Sequence, residues 1–314
     1  MIAFLFPGQG SQYVGMGKEF YSEFAVAKNT FDEASESIGV DVAKLCFDGD
    51  QQTLSLTANA QPAILTASIS ILRVLFQETD LKPDYVAGHS LGEYSALVAS
   101  GCLNLKDAVY VVRKRGEFMQ DAVPVGVGSM AAILGLSSSE VDQICSDVST
   151  DGNIVSPANY NSPVQIVISG NKEAVESASK LAKDKGARRV VPLEVSAPFH
   201  CKLMEPAAEK LASVLDEITF SNIKYPVVTN VEAKFNANED RVKDLLVEQV
   251  VSPVRWTDSV NLLANSDVKD YIEIGPGNVL TGLVKRTIKD VNLKNIEKLE
   301  QLNHINGDEN ENGT

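Results

Sequence analysis

The chain is expected to be an α/β protein, with a mostly parallel sheet flanked by helices and a small ferredoxin-like domain inserted in its middle. Three observations carry this expectation. Segments 1–124 and 197–314 alternate strand-like and helix-like patterns, as a parallel sheet covered by helices requires. The stretch between them reads in the order β-α-β-β-α-β, that of a small split unit. A short apolar strand also breaks abruptly into a helix through two glycines near position 90. With 314 residues and 44% hydrophobic content, the chain can bury a large core and hold one or two domains.

The first strand is Ile2-Ala3-Phe4-Leu5-Phe6, followed by the glycine-rich loop Gly8-Gln9-Gly10. Such a loop suggests phosphate binding, yet Tyr13 stands where a dinucleotide fingerprint needs glycine, and no Gly-Lys-Ser/Thr follows. Next, Asp84-Tyr85-Val86-Ala87 reads as a buried strand, and Glu93-Tyr94-Ser95-Ala96-Leu97-Val98-Ala99 as a helix. In the inserted unit, 127–136 reads as a strand and 138–148 as a helix opened by Ser139. Strands follow near 153–158 and 164–169. Asn171 is expected to cap an amphipathic helix to 185, and 188–195 forms a last strand. The large unit therefore comprises 1–124 and 197–314, and the small one 125–196. His200 falls just past the return crossing, which puts the site in the cleft between units, where ligands commonly bind.

Between strand and helix lies Gly88-His89-Ser90-Leu91-Gly92. Glycines on either side of Ser90 let the turn close tightly, so that the hydroxyl projects while the backbone N–H of Leu91 faces a reacting carbonyl. Ser90 is the expected nucleophile. The base follows by elimination among three histidines. His89 adjoins the nucleophile, and the turn should throw the two side chains apart. His304 lies in a polar tail, ending with 306–314, whose composition predicts mobility. His200 remains, in an apolar segment entering the proline-stiffened loop Ala197-Pro198-Phe199-His200. No spacing among the 42 acidic residues singles out a third member. In α/β-hydrolases the histidine comes late and an HGGG loop helps form the oxyanion hole. Here 114 residues follow His200 and HGGG is absent, so an ordinary esterase fits poorly.

Composition excludes other classes. The net charge of −14 argues against nucleic acid. No run approaches the ~20 apolar residues of a membrane span. The apolar N-terminal stretch lacks the basic region and cleavage site of a signal peptide. Four cysteines without CxxC or metal-ligand spacing suit a reducing cytoplasm and imply no metal. Cys201 lacks an elbow and reads as a small packing residue. Arg115, beside Arg113 and Lys114, reads by residue type alone as a solvated helix charge.

Seven segments, in order, resemble the malonyl-CoA:acyl carrier protein transacylase family of fatty acid synthesis, relatives of polyketide-synthase acyltransferase domains. They are Phe6-Pro7-Gly8-Gln9-Gly10-Ser11-Gln12, the elbow with Glu93, Arg113-Lys114-Arg115-Gly116, Asn159-Tyr160-Asn161-Ser162-Pro163, Pro198-Phe199-His200, Gln249 with Ser252-Pro253-Val254-Arg255-Trp256, and Glu273-Ile274-Gly275-Pro276-Gly277.

The resemblance implies a hydrolase-like sheet and malonyl transfer from malonyl-CoA to the phosphopantetheine thiol of acyl carrier protein, without metal or other cofactor. It implies that Ser90 takes the acyl group and that His200 acts as base and then acid. Gln9 and Leu91 would supply oxyanion-hole N–H groups. Arg115 would pair bidentately with the malonyl carboxylate, a planar guanidinium being suited to that. Gln249 would hold His200 through its backbone carbonyl, replacing the missing acid. Phe199 matches the malonyl-selective form. A thioesterase or esterase on the same elbow, or a non-catalytic carrier-binding module, are the alternatives. The chain's acidity requires a local basic patch for an acidic carrier, either Lys183, Lys185, Arg188 and Arg189 or Lys285, Arg286 and Lys289.

Overall fold

The computed structural model describes residues 1–124, 126–195 and 197–311. Val125 and Ser196, where the two crossings between units were placed, lie outside the described residues, as do 312–314.

The strand Ile2–Phe6 (β1) is apolar throughout and buried from Ala3 to Phe6, as a central strand covered on both faces must be. It pairs in parallel with Tyr85–Gly88 (β2) on one side. To continue in chain order, Gly128–Leu134 (β3), Val155–Ser162 (β4), Gln165–Asn171 (β5) and Arg189–Pro192 (β6) belong to the inserted region. Val227–Val228 (β7), Phe235–Asn236 (β8), Asp270–Ile274 (β9) and Asn292–Ile296 (β10) return to the first sheet. That sheet has the order β10-β9-β1-β2-β7-β8 and is parallel except at the β7–β8 edge. Four antiparallel strands form the second sheet in the order β4-β5-β3-β6, with the helices Ser138–Val148 and Lys172–Asp184 packed on it. This is the ferredoxin-like arrangement expected from the β-α-β-β-α-β pattern.

Local details differ from the sequence reading. The helix Ser138–Val148 is capped by Ser137, not Ser139, in a reciprocal capping box with Glu140. Asn171 does stand at the cap position of Lys172–Asp184, but its side chain accepts from Ile154 N–H and so ties β4 to β5 instead. The C-terminal segment is helical from Leu299 to Glu311, anchored by buried Leu302 and Ile305. His304 is exposed on that helix. The helix Thr57–Glu78 is long and apolar enough to cross a membrane by length and composition, but it is mostly buried in the core between neighbouring helices.

In a parallel sheet, loops at the carboxyl ends of adjacent strands converge. Here β1 delivers Pro7–Gly10, β2 delivers the elbow, and β7 delivers Asn230 to one place.

Candidate active site

Ser90 has φ 52° and ψ −105°, a region that non-glycine residues occupy only under strain. Its neighbours hold it there. A Cβ on Gly88 would lie 1.9 Å from the Gly92 carbonyl oxygen, and one on Gly92 would lie 2.0 Å from that of Phe6. Gly8 is similarly confined, since a Cβ there would lie 2.3 Å from the His89 oxygen. Three glycines thus let the first loop, the strand end and the helix touch backbone to backbone. Asn230 completes the brace, accepting from Ser90 N–H at 2.7 Å and donating to the Gly88 carbonyl at 2.7 Å. Gly92→Ala is expected to destabilise the protein by ~3 kcal/mol or more, the upper range for overpacking, because the obstacle is backbone. Thermal unfolding of the variant checks this, and an unchanged midpoint would mean the contact relaxes freely.

His200 also has positive φ, 58°, directing its ring back toward the elbow. Its Nε2 lies 2.7 Å from Ser90 Oγ, and its Nδ1 lies 2.8 Å from the Gln249 carbonyl. A carbonyl only accepts, so Nδ1 carries the proton and Nε2 is free to take one from the serine. Burial, reinforced by the positive charge of Arg115, pushes His200 down to about 3, which keeps the imidazole neutral at physiological pH. The fixed tautomer is supplied by a neutral carbonyl rather than a carboxylate.

Helix Leu105–Asp121 turns three consecutive basic residues in different directions, about 100° apart. Arg113 and Lys114 pair with Glu117, while Arg115 points inward and is almost fully buried. The solvated-charge reading therefore fails for Arg115, while its two neighbours are half-buried and paired. Gly116 lets this helix approach the start of Thr57–Glu78, since a Cβ there would lie 2.7 Å from Ala58 Cα. The approach brings Gln61 to Arg115. Its guanidinium donates through Nη1 to Gln61 Oε1 at 2.7 Å, and through Nη2 to Gln249 Oε1 at 2.9 Å and Ser90 Oγ at 3.0 Å. The Tyr94 ring lies beneath it, 5.5 Å from Cζ. No carboxylate touches the guanidinium among the described residues; a buried cation held by neutral oxygens, with Nε unpartnered, suits an incoming anion.

The amide of Leu91 opens the helix Leu91–Ala99, where N–H groups have no intrahelical acceptor. The Gln9 side chain accepts from Thr57 Oγ1, which pins the loop after β1. Among the hydrogen bonds of the described residues, none uses the amide of Gln9 or of Leu91.

These groups line one cleft of about 470 Å³, which includes Gln9, Gln61, Ser90, Leu91, Arg115, Phe199 and His200 from the large sheet's side. Met130 and Asn159 enter from the second sheet, with Leu193 and Glu194 just beyond β6. Gln249 stands behind the cleft wall, fully buried. His89 also lines the cleft, and its ring is committed to Asn161. It is half-buried against Trp256 and donates from Nε2 to Asn161 Oδ1 at 2.8 Å, linking the elbow to β4. The segment around Val254 adds backbone hydrogen bonds to Ala158 and Tyr160 of β4, so the two sheets are fastened beside the site. The Cys201 thiol is buried and donates to the Pro198 carbonyl. Neither basic set lines the cleft, and Lys185 is paired with Asp147.

Sequence reasoning missed Gln61, Asn230, Tyr94 and the role of Glu93. Asn230 had a usable signal, since Tyr225-Pro226-Val227-Val228-Thr229 is a strand pattern that delivers the next residue to the carboxyl edge. Gln61 had none, lying inside an apolar helix.

The profile of the acyl transferase domain family matches residues 3–311. The chain is 52% identical over 314 residues to the malonyl CoA-acyl carrier protein transacylase of Bacillus subtilis, covering 99% of each. An acyl carrier protein S-malonyltransferase from Vibrio cholerae has the same fold, with a TM-score of 0.94 and 46% identity over 97% of this chain and 99% of that one. A malonyl-transacylase in complex with a type II PKS acyl-carrier protein is similar at a TM-score of 0.94 and 45% identity, over 98% and 99% of the two chains.

Proposed function

The chain belongs to the acyl transferase domain family and transfers malonyl from malonyl-CoA to acyl carrier protein; we propose that it does so by a ping-pong route through a malonyl-Ser90 ester. The observation that carries this reading is the contact of Ser90 Oγ with both His200 and Arg115 in one cleft.

In acylation, His200 Nε2 takes the Ser90 proton as Oγ attacks the thioester carbonyl. The negative charge forming on that oxygen is met by the N–H groups of Gln9 and Leu91. The intermediate collapses, the carbon–sulfur bond breaks, and the leaving thiolate takes the proton back from His200. The phosphopantetheine thiol of the carrier then reverses the sequence: His200 takes the thiol proton, sulfur attacks the ester, and the proton returns to Ser90. During imidazolium formation the Gln249 carbonyl holds Nδ1–H in place. Arg115, with Gln61 beside it, binds the free malonyl carboxylate, and Phe199 forms part of the acyl wall. We also take 1–124 and 197–314 as the catalytic unit and 125–196 as the small unit. A cytoplasmic location agrees with four buried, unpaired cysteines.

The test concerns substrate choice. Losing a hydrogen bond to a charged group costs ~1.5–3 kcal/mol, so Arg115→Ala is expected to lower malonyl kcat/KM by at least ~10-fold. Acetyl transfer should hold steady or rise, because acetyl has no carboxylate to gain from the guanidinium. The measured quantity is the ratio of kcat/KM values for the two substrates. A uniform loss would assign Arg115 to the fold or to coenzyme A instead.

A further inference from the structure

We infer that Glu93 is a positioning residue that acts through the Gln249 side chain, turning an amide oxygen rather than an amide NH2 toward the Arg115 guanidinium. The inference rests on the reading of Arg115 as the site of the malonyl carboxylate.

Glu93 lies in the first turn after the elbow and is buried, 3% exposed. A buried carboxyl group is costly unless its neighbours justify it, and the reaction steps leave this one unused. Its Oε2 faces two donors: Gln249 Nε2 at 2.6 Å and the Asn230 N–H at 3.2 Å. Gln249 Nε2 also donates to the Ser90 carbonyl at 3.1 Å, so both amide hydrogens have acceptors on that side. The Gln249 oxygen is thereby left facing Arg115 Nη2 at 2.9 Å.

The two ends of a glutamine amide are nearly the same size, and only the surrounding hydrogen bonds decide which end points where. Rotated by half a turn, Gln249 would set NH2 against the guanidinium, donor against donor. Arg115 would then lose one of its two amide supports and its fixed plane. A carboxylate placed directly on Arg115 would hold it too, but it would compete with malonyl for the same N–H groups. Interposing a glutamine keeps the cation oriented and unneutralised, with the acid set behind it. Burial pushes the Glu93 carboxyl up to about 7, so both forms are populated near neutral pH. Oε2 can accept from its two donors in either form, which makes reach rather than charge the relevant property.

Two variants separate these properties. Glu93→Gln removes the charge and keeps an acceptor oxygen at the same reach. Glu93→Asp keeps the charge and withdraws the oxygen by one methylene. The readout is kcat/KM for malonyl and acetyl transfer, with kcat and KM resolved for malonyl. Glu93→Asp is expected to lower the malonyl-to-acetyl ratio by ~10-fold, mainly through KM, whereas Glu93→Gln stays within ~3-fold, since discrimination follows the contacts to the distinguishing group. The ratio in Glu93→Asp/Arg115→Ala should be no lower than in Arg115→Ala alone.

The reverse order, with Gln losing the ratio and Asp keeping it, overturns the inference in favour of a charge effect. Parallel losses for both substrates assign Glu93 to the fold alone. Should Glu93→Asp fail to fold, Glu93→Gln decides: a kept ratio supports the inference and a lost ratio overturns it. If Arg115→Ala collapses the ratio while Glu93→Asp leaves it intact, only the Glu93 role fails. If Arg115→Ala leaves the ratio unchanged, the carboxylate reading falls and takes this role with it.

Discussion

Replacing Ser90 with alanine is expected to abolish the malonyl adduct and to lower transfer by ~10⁴-fold or more, the scale on which deleting a serine nucleophile acts. The size follows from the division of labour in the cleft. Arg115 and the two free amides can still bind malonyl-CoA, but the hydroxyl that attacks the carbonyl they position is gone. Cys201 adjoins His200 in sequence, but burial raises its thiol pKa, and its Sγ already donates to Pro198. Mass spectrometry after mixing with malonyl-CoA alone should find one adduct, on the peptide bearing Ser90. An adduct on Cys201, or undiminished turnover in the variant, would falsify the ester route. Binding measured by titration should survive, because the malonyl carboxylate keeps its partner.

His200→Ala should slow acylation by ~10²–10⁴-fold, the range for a positioned general base. A pH profile gives the sharper test. A solvated imidazole would impose an acid limb near its ordinary pKa of 6.5. Burial and Arg115 push His200 down to about 3, so kcat/KM for acylation should stay flat from neutral pH to well below 6. A limb near 6.5 would mean that water reaches the ring. The same shift has a stability consequence with a definite sign. Below 6.5 the unfolded chain takes up a proton that folded His200 refuses, so this group's contribution favours unfolding increasingly as pH falls toward 3. His89→Ala should act differently. That ring is half-buried and bonded to Asn161, so its loss should lower stability along with activity.

The elbow and His200 were legible because each announces itself within a few residues. Glycines flank the serine, and only three histidines compete. Both sheets were legible for a similar reason, since strand and helix periods are local. Arg115 was legible only by resemblance. Its direction depends on helix phase and on the glycine contact that brings Gln61 alongside, neither of which shows in a run of three basic residues. Asn230, Gln61 and Glu93 were hidden because each works through partners from 54 to 156 positions away. The caps show the same limit on a smaller scale. Ser137 and Ser139 are equally good residue types, and only Glu140 reaching back to Ser137 decides between them. Asn171 was drawn from its expected role by an N–H from another strand.

The pairing of β1 with β2 on one side and β9 on the other sets an order of events during synthesis. Strand β1 meets β2 once position 88 is available, but its second neighbour begins at Asp270. At ~5–20 residues per second, the ribosome takes roughly 10–40 s to cover that gap. Within it, the antiparallel sheet of β3–β6 is made whole, since all its pairings fall between Gly128 and Pro192. The small unit can thus condense on the nascent chain while β1 still lacks its second neighbour. Until β9 arrives, the open edge belongs to the strand from which the Gln9 loop hangs.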